Sequence, residues 1–363
     1  MNTRQLESLL DLALAQGMDA LAVMPGPNLF YLTGLSFHLS ERPVLGLFPV
    51  DAPPALVLPA FEAGKVPDIE VFTYTDEEGY TLAFHEACAA LELAEARIGV
   101  EALRMRLLEA RILQRYAPDT ELIQADELFA ALRMHKSAAE IAQMRRAIAV
   151  AEEAFQAWLP QLHVGMTEQE AAGRLIAALL THGGEGLAFD PIVVGGPNGA
   201  SPHAVPSARP FAAGDWVVVD WGAFVGGYAS DITRMVVFGE PQGELVNIHE
   251  IVVRANEAGC AAVRPGVSAE TVDAAARAVI EAAGYGAAFT HRTGHGLGLE
   301  THEPPYIVAG NTARLEADMT FTVEPGIYVA GLGGVRIEDD VLVTASGAQT
   351  LTTLPHAPFV ISC

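Results

Sequence analysis

The chain has 363 residues, 51% of them apolar, and carries 45 acidic against 21 basic side chains, a formal net charge of −24 at pH 7. That length accommodates two domains and a sizeable core, and so apolar a composition excludes a disordered chain. The acidic surplus opposes nucleic acid and anionic membrane as partners, because both demand a basic face.

No uninterrupted apolar run has the length of a membrane span. The opening residues carry one Arg and a helical pattern broken by Glu7 and Asp11, without the apolar stretch of a secretory signal. The expectation is a cytoplasmic protein. Cys88, Cys260 and Cys363 are odd in number and far apart, which predicts buried or incidental thiols, not a disulfide framework or a thiolate zinc site.

In chain order, Leu6, Leu9, Leu10, Ala13 and Leu14 mark one stripe of a helix over residues 2–16. A short strand is expected at Ala20–Met24, a turn at Pro25–Asn28, and a short helix ended by Gly34. Strands at Pro43–Phe48, Ala55–Leu58, Val71–Tyr74 and Ile98–Val100 alternate with helices at Tyr80–Leu93 and Leu103–Tyr116. Such alternation predicts a small α/β domain. Glu127–Lys136 closes it. Ser137 and Glu140 then form a capping box before a helix running to about Leu159. The domains are therefore read as 1–135 and 136–363.

The second half holds most of the unusual polar residues. A helix starts at Thr167–Glu170, and Pro191–Val194 is a strand leading to a Gly-rich loop that ends at His203. The stretch Trp216–Asp231, WVVVDWGAFVGGYASD, begins with a β-branched run suited to a buried strand. Asp220 follows that run, and Asp231 follows the turn at Gly226-Gly227. Two carboxylates on a hairpin, one ending a buried strand, are costly unless something pairs with them. A metal ion is the simplest partner. Helices follow at Glu244–Val263 and Ser268–Ala283, and then short strands at Met319–Val323, Gly326–Val329, Gly334–Glu338 and Val341–Val343.

Four further clusters complete the set: Gly294-His295-Gly296-Leu297-Gly298, Glu300–Pro305 with His302, Thr322-Val323-Glu324-Pro325-Gly326, and Val335–Asp340 with Glu338. Singly, each has a plainer reading as a loop, a solvated turn or a surface run. The glycine-flanked histidine also has a poorer reading as a phosphate loop, since it lacks the full pattern and a Lys. Together, two Asp, one His and two Glu make a hard ligand set whose four carboxylates balance two divalent ions.

In order and spacing, Asp220, Asp231, His295, Glu324 and Glu338 resemble the five ligands of the dinuclear metallopeptidases of the pita-bread fold. The flanking words VVVDWGA, YASDITR, HRTGHGLGLETHEPP, TVEPGIY and VRIEDDVLVT match as well. The resemblance spans about residues 137–360, and the first domain fits the smaller N-terminal domain of the proline-specific branch. It implies an α/β (α+β) fold: a C-terminal pita-bread, creatinase/aminopeptidase-like domain after an N-terminal creatinase-like domain that serves dimerisation and substrate access.

The resemblance further implies hydrolysis of the Xaa-Pro bond by a hydroxide held between two divalent ions per subunit (Mn, Co or Zn). Asp220 would bind one metal and His295 the other. Asp231 and Glu338 would bridge them, and Glu324 would bind the second metal and shuttle a proton. His203 and His302 match histidines that contact substrate and stabilise the tetrahedral intermediate. His291 reads either as a substrate contact or as a packed histidine that orients the loop. Arg336, two residues from Glu338, reads as a partner steadying Glu338 or Asp231, or as a plain structural salt bridge. Some prolidases carry an Arg just after the HExP motif; here that position is Tyr306. Arg42 is then a candidate carboxylate anchor reaching from a partner subunit, or a surface residue. The expected substrates are proline-containing dipeptides, with aminopeptidase P action on longer peptides as the alternative, by a homodimer. A non-enzymatic, peptide-binding module and a metal-free creatinase-like enzyme are the other classes. Retention of all five ligands counts against both.

Overall fold

The computed structural model describes residues 2–362, so Met1 and the thiol Cys363 lie outside the described residues. The chain divides into two compact units, Met1–Arg133 and Met134–Cys363. No helix among the described residues is long and apolar enough to cross a membrane.

In the first unit, six strands form one sheet in the order Glu70–Tyr74, Ala55–Pro59, Leu45–Pro49, Ala20–Val23, Arg97–Val100 and Glu121–Gln124. Side chains alternate across a strand, and Ala20–Val23 shows the consequence. Ala20 and Ala22 join a core with Phe84, Ala87 and Leu113, whereas Leu21 and Val23 join another with Leu6, Leu9 and Ala13. Helices Thr81–Ala90 and Leu107–Tyr116 thus cover one face, and Thr3–Ala15 the other. This is a layered α/β unit. The helix expected from Leu103 begins at Leu107, because Asp126 accepts hydrogen bonds from the Ala102 and Leu103 backbone N–H groups and holds them in a turn. Strand Glu121–Gln124 has too short an apolar core to be legible alone. It forms by pairing parallel to Arg97–Val100. Cys88 lies in this unit's core, where burial pushes its thiol up to about 11.

In the second unit, Ser137 Oγ accepts from Glu140 N and Glu140 Oε2 accepts from Ser137 N, so the capping box starts helix Ala138–Trp158 as the sequence predicts. Two largely antiparallel sheets carry the site. One has the order Phe359–Ile361, Ile232–Phe238, Trp216–Trp221, Ile192–Gly195. The other has the order Glu303–Ile307, Gly294–Gly296, Thr320–Val323, Asp339–Thr344, Gly347–Thr350. Val217, Val219 and Trp221 face a core shared with helices Ala138–Trp158 and Glu168–Thr181; Trp216 and Val218 face one shared with Glu244–Ala262.

The hairpin is more elaborate than its sequence suggests. Ala223–Val225 and Tyr228–Ala229 form a small ribbon closed by Gly226 and Gly227, both at positive φ. The main return strand is Ile232–Phe238, and Thr233, not Asp231, lies opposite Asp220. Asp231 sits where the chain passes from ribbon to strand. Gly294–Gly296 is a central strand and not a phosphate loop. A Cβ at Gly294 would overlap the Thr322 carbonyl, and one at Gly296 the Pro304 carbonyl. The glycines beside His295 therefore permit close backbone approach.

Candidate metal centre

Period two along Trp216–Trp221 places Asp220 on the face of Trp216 and Val218, at the end of a wholly buried strand. Asp231 precedes the neighbouring strand, His295 centres Gly294–Gly296, Glu324 follows Thr320–Val323, and Glu338 bridges to Thr233 just after Gly333–Arg336. All five line one cavity of about 660 Å³.

Their donor atoms converge. Asp220, Asp231 and Glu338 offer atoms within 4.8 Å of one another, and so do His295, Glu324 and Glu338. Glu338 belongs to both groups. Asp231 recurs in a third, with His295 and His302. His295 Nε2 lies 3.6 Å from Asp231 Oδ2 and 3.4 Å from Glu324 Oε1. Its Nδ1 lies 3.2 Å from the Gly296 carbonyl, so Nδ1 carries the proton and Nε2 presents a lone pair to the carboxylates.

Without cations this cluster opposes its own charge. Burial, then Glu338 and Asp220, push Asp231 well above the usual carboxylate range; burial, then Glu324 and Asp220, do the same to Glu338. Burial pushes Glu324 up to about 7, with Arg336 opposing and Asp220 adding to the rise. Burial, then His302, hold His295 well below its ordinary value and therefore neutral. Asp220 Oδ1 is buried with no hydrogen-bond partner among the described residues, and Arg336 donates to Oδ2. An orphaned buried oxygen and four mutually repelling carboxylates beside a neutral imidazole are what a pair of hard divalent ions requires. The residues fit such a centre.

The surrounding bonds orient these groups. Arg336 donates to Asp220 Oδ2 at 2.5 Å, Thr233 Oγ1 at 3.0 Å and Tyr328 OH at 2.6 Å. It therefore meets Asp220 directly, and not Glu338 or Asp231. It reaches Glu338 only through Thr233, whose hydroxyl donates to Glu338 Oε2 at 2.7 Å. The strand ends at Arg336, so the expected shared face with Glu338 does not persist.

His203 and His302 are exposed and line the same cavity, with the His302 ring 4.1 Å from that of His295. Burial, then Arg292, lower His302 from its ordinary value. His291 also lines the cavity. Its Nε2 lies 3.0 Å from Tyr328 OH and its Nδ1 3.9 Å from Glu324 Oε2; burial, then Arg336, lower it to about 4, so it is neutral. Tyr306 stands outside the cavity lining, and its ring lies under the Arg292 guanidinium. Arg42 belongs to the first unit, where Asp76 holds its guanidinium by two 2.8 Å bonds and Glu41 by a third.

Sequence reasoning missed several supporting residues. Arg292 lines the cavity. Arg277 donates to the Phe289 and His291 carbonyls, while Asp273 accepts from both Arg277 and Thr293 Oγ1, pinning the segment before His295. Lys136 donates to buried Glu303, the neighbour of His302, at 2.7 Å. Arg292, inside HRTGHG, was within reach of a motif reading. Lys136 and Asp273 carry no local signal, because their partners are distant in sequence.

The geometry has counterparts. A probable dipeptidase PepE of Mycobacterium tuberculosis is 37% identical over 356 residues, covering 95% of this chain and 92% of that protein. The crystal structure of a dipeptidase from Pyrococcus horikoshii OT3 superposes with a TM-score of 0.94 at 37% identity, covering 98% of this chain and 100% of the other. That of a recombinant prolidase from Thermococcus sibiricus gives 0.95 at 33% identity, covering 99% of each. The Creatinase/Prolidase N-terminal domain matches residues 5–135. Since metallopeptidase family M24 matches residues 142–345, the stretch that supplies all five converging side chains, the chain belongs to that family.

Proposed function

We propose that the protein hydrolyses the Xaa-Pro bond, chiefly in dipeptides, with two divalent metal ions held by Asp220, Asp231, His295, Glu324 and Glu338. The observation that carries this reading is the converging group of four carboxylates, three of them buried, and one neutral imidazole along a cavity large enough for a dipeptide. Similarity to proteins named dipeptidase and prolidase supports the substrate class. Asp231, His295 and Glu338 each belong to two donor groups; family resemblance, and not this grouping, supports Asp231 and Glu338 as the ligands that would be shared, with Asp220 and His295 each serving one ion. When bound, the metals would activate a water molecule and stabilise charge on the scissile carbonyl oxygen.

The chain's own residues handle the rest. Glu324 takes a proton from the attacking water at one carboxylate oxygen and returns it to the departing proline nitrogen. That return matters because proline leaves as a secondary amine whose nitrogen carries no hydrogen in the peptide. His302 and His203 offer ring N–H groups from the cavity wall to the substrate and to the developing oxyanion. Arg336 fixes Asp220 and, through Thr233, Glu338. Manganese, cobalt and zinc all suit this donor set. Family resemblance supports a homodimer, and the scattered thiols agree with residence in the cytoplasm.

The test is to load metal-stripped protein with Mn, Co or Zn and to offer Xaa-Pro dipeptides, Xaa-Pro-Yaa peptides and creatine. Xaa-Pro dipeptides should be cleaved best. Silence on every Xaa-Pro bond defeats the proposal, and faster cleavage of the longer peptides moves it to aminopeptidase P. Glu324→Gln should lower kcat by roughly 10³-fold while the thermal midpoint holds. Substantial residual turnover removes the proton shuttle.

A further inference from the structure

Two arginines line the cavity, Arg292 and Arg336. Arg336 is buried and fully engaged by Asp220, Thr233 and Tyr328. Arg292 differs. It is half-buried, and among the described residues no carboxylate pairs with its guanidinium. Its side-chain contact is stacking, with Cζ 4.6 Å from the Tyr306 ring centroid. Tyr306 is held opposite His295 in the strand pairing, and Asn311 Nδ2 donates to its carbonyl at 2.6 Å. The guanidinium is thus braced against a strand that also frames the metal ligands.

A planar, braced guanidinium without an anionic partner suits a carboxylate that arrives with the substrate. We propose that Arg292, braced by Tyr306, receives the C-terminal carboxylate of the peptide and thereby selects dipeptides over longer chains. Each added residue carries the carboxylate up to about 3.6 Å farther along the peptide, beyond a fixed guanidinium. The identity of the peptide rests on the Xaa-Pro reading above. Tyr306 is then a positioning residue acting through Arg292, and the carboxylate anchor is intrinsic to the catalytic unit.

The test compares an Xaa-Pro dipeptide with its C-terminal amide on metal-loaded protein. Wild type should favour the free acid by roughly 10- to 100-fold in kcat/KM, the range of a charge-assisted hydrogen bond. Arg292→Met should remove most of that preference by slowing the acid far more than the amide. Arg292→Lys should restore part of it, and Tyr306→Ala should weaken it with a smaller loss. Equal losses on both substrates, an undiminished preference in Arg292→Met, or no preference in wild type would overturn the assignment. Calorimetric binding of alanyl-proline and its amide keeps this failure distinct from failure of the Xaa-Pro reading. If wild type cleaves no Xaa-Pro bond, the substrate proposal falls. The anchor then stands or falls on whether Arg292→Met abolishes preferential binding of the acid.

Discussion

Asp231 shows how a side chain proposed as a metal ligand carries a cost in stability. Burial and neighbouring carboxylates push its pKa well up, as they do for Glu338, and push Glu324 up to about 7. A carboxylate whose folded-state pKa is raised binds more protons in the folded than in the unfolded state. Its stabilising contribution is complete below the unfolded value near 4.5 and is lost as pH rises through the folded value. Metal-free protein should therefore lose stability between about pH 4.5 and pH 7 through Glu324, with Asp231 and Glu338 adding to the loss. Asp231→Asn removes one of the repelling charges. Metal-free Asp231→Asn should be more stable than metal-free wild type at pH 7, by on the order of 1–3 kcal/mol, and this gap should close on acidification. The same substitution should remove both metals, whereas Asp220→Ala should retain one. Urea titrations at several pH values and elemental analysis read both; a destabilised Asp231→Asn, or two metals in either variant, contradicts the account.

At the scale of elements, helix Ala269–Ala282 acts on the site without lining it. Asp273 and Arg277 lie one turn apart on one face, where the carboxylate holds the guanidinium and Thr293, and the guanidinium holds the Phe289 and His291 carbonyls. These bonds set the path of the segment that delivers His291, Arg292 and His295. Arg277→Met should lower kcat/KM by about 10-fold while both metals still bind, the usual scale for losing a supporting shell. Steady-state kinetics beside elemental analysis checks it, and unchanged kinetics would show that the segment holds its shape unaided. The capped helix at Ser137 and the β-branched run at Val217–Val219 were legible because their signals are local. Ser268 shows the limit of such signals. It is the N-cap of its helix, but its hydroxyl contacts Thr271 Oγ1 and Glu270 Oε1 and caps no backbone N–H.

Across the whole molecule, the five proposed ligands span Asp220 to Glu338: Asp220 and His295 lie in strands of two different sheets, and Asp231, Glu324 and Glu338 lie beside strand ends. A centre assembled from such distant residues does not exist in the unfolded chain, so metal held by the proposed ligands would bind the folded second unit alone. Chelation should lower the thermal midpoint of that unit, and manganese at about 100 times its dissociation constant should restore about 2.7 kcal/mol. The unfolding of Met1–Arg133 should not respond to metal, since every candidate ligand belongs to Met134–Cys363. Calorimetry with and without chelator tests this, and two transitions that shift together would show that the metal also stabilises the first unit.

The sequence by itself determined the alternation of strands and helices in the first unit, the capped start of the long helix, and which acidic and histidine side chains to consider as ligands. Each of these depends on neighbours along the chain: hydrophobic period, cap chemistry, or an acid at the end of an apolar strand. The tertiary structure alone decided that Thr233 stands opposite Asp220, that Arg336 holds Asp220 directly, that Tyr306 braces Arg292, and that Asp76 holds Arg42. Those pairings depend on strand register and on contacts between residues far apart in sequence, and a one-residue change of register would send strand residues such as Asp220 and Thr233 to the opposite face of their sheet.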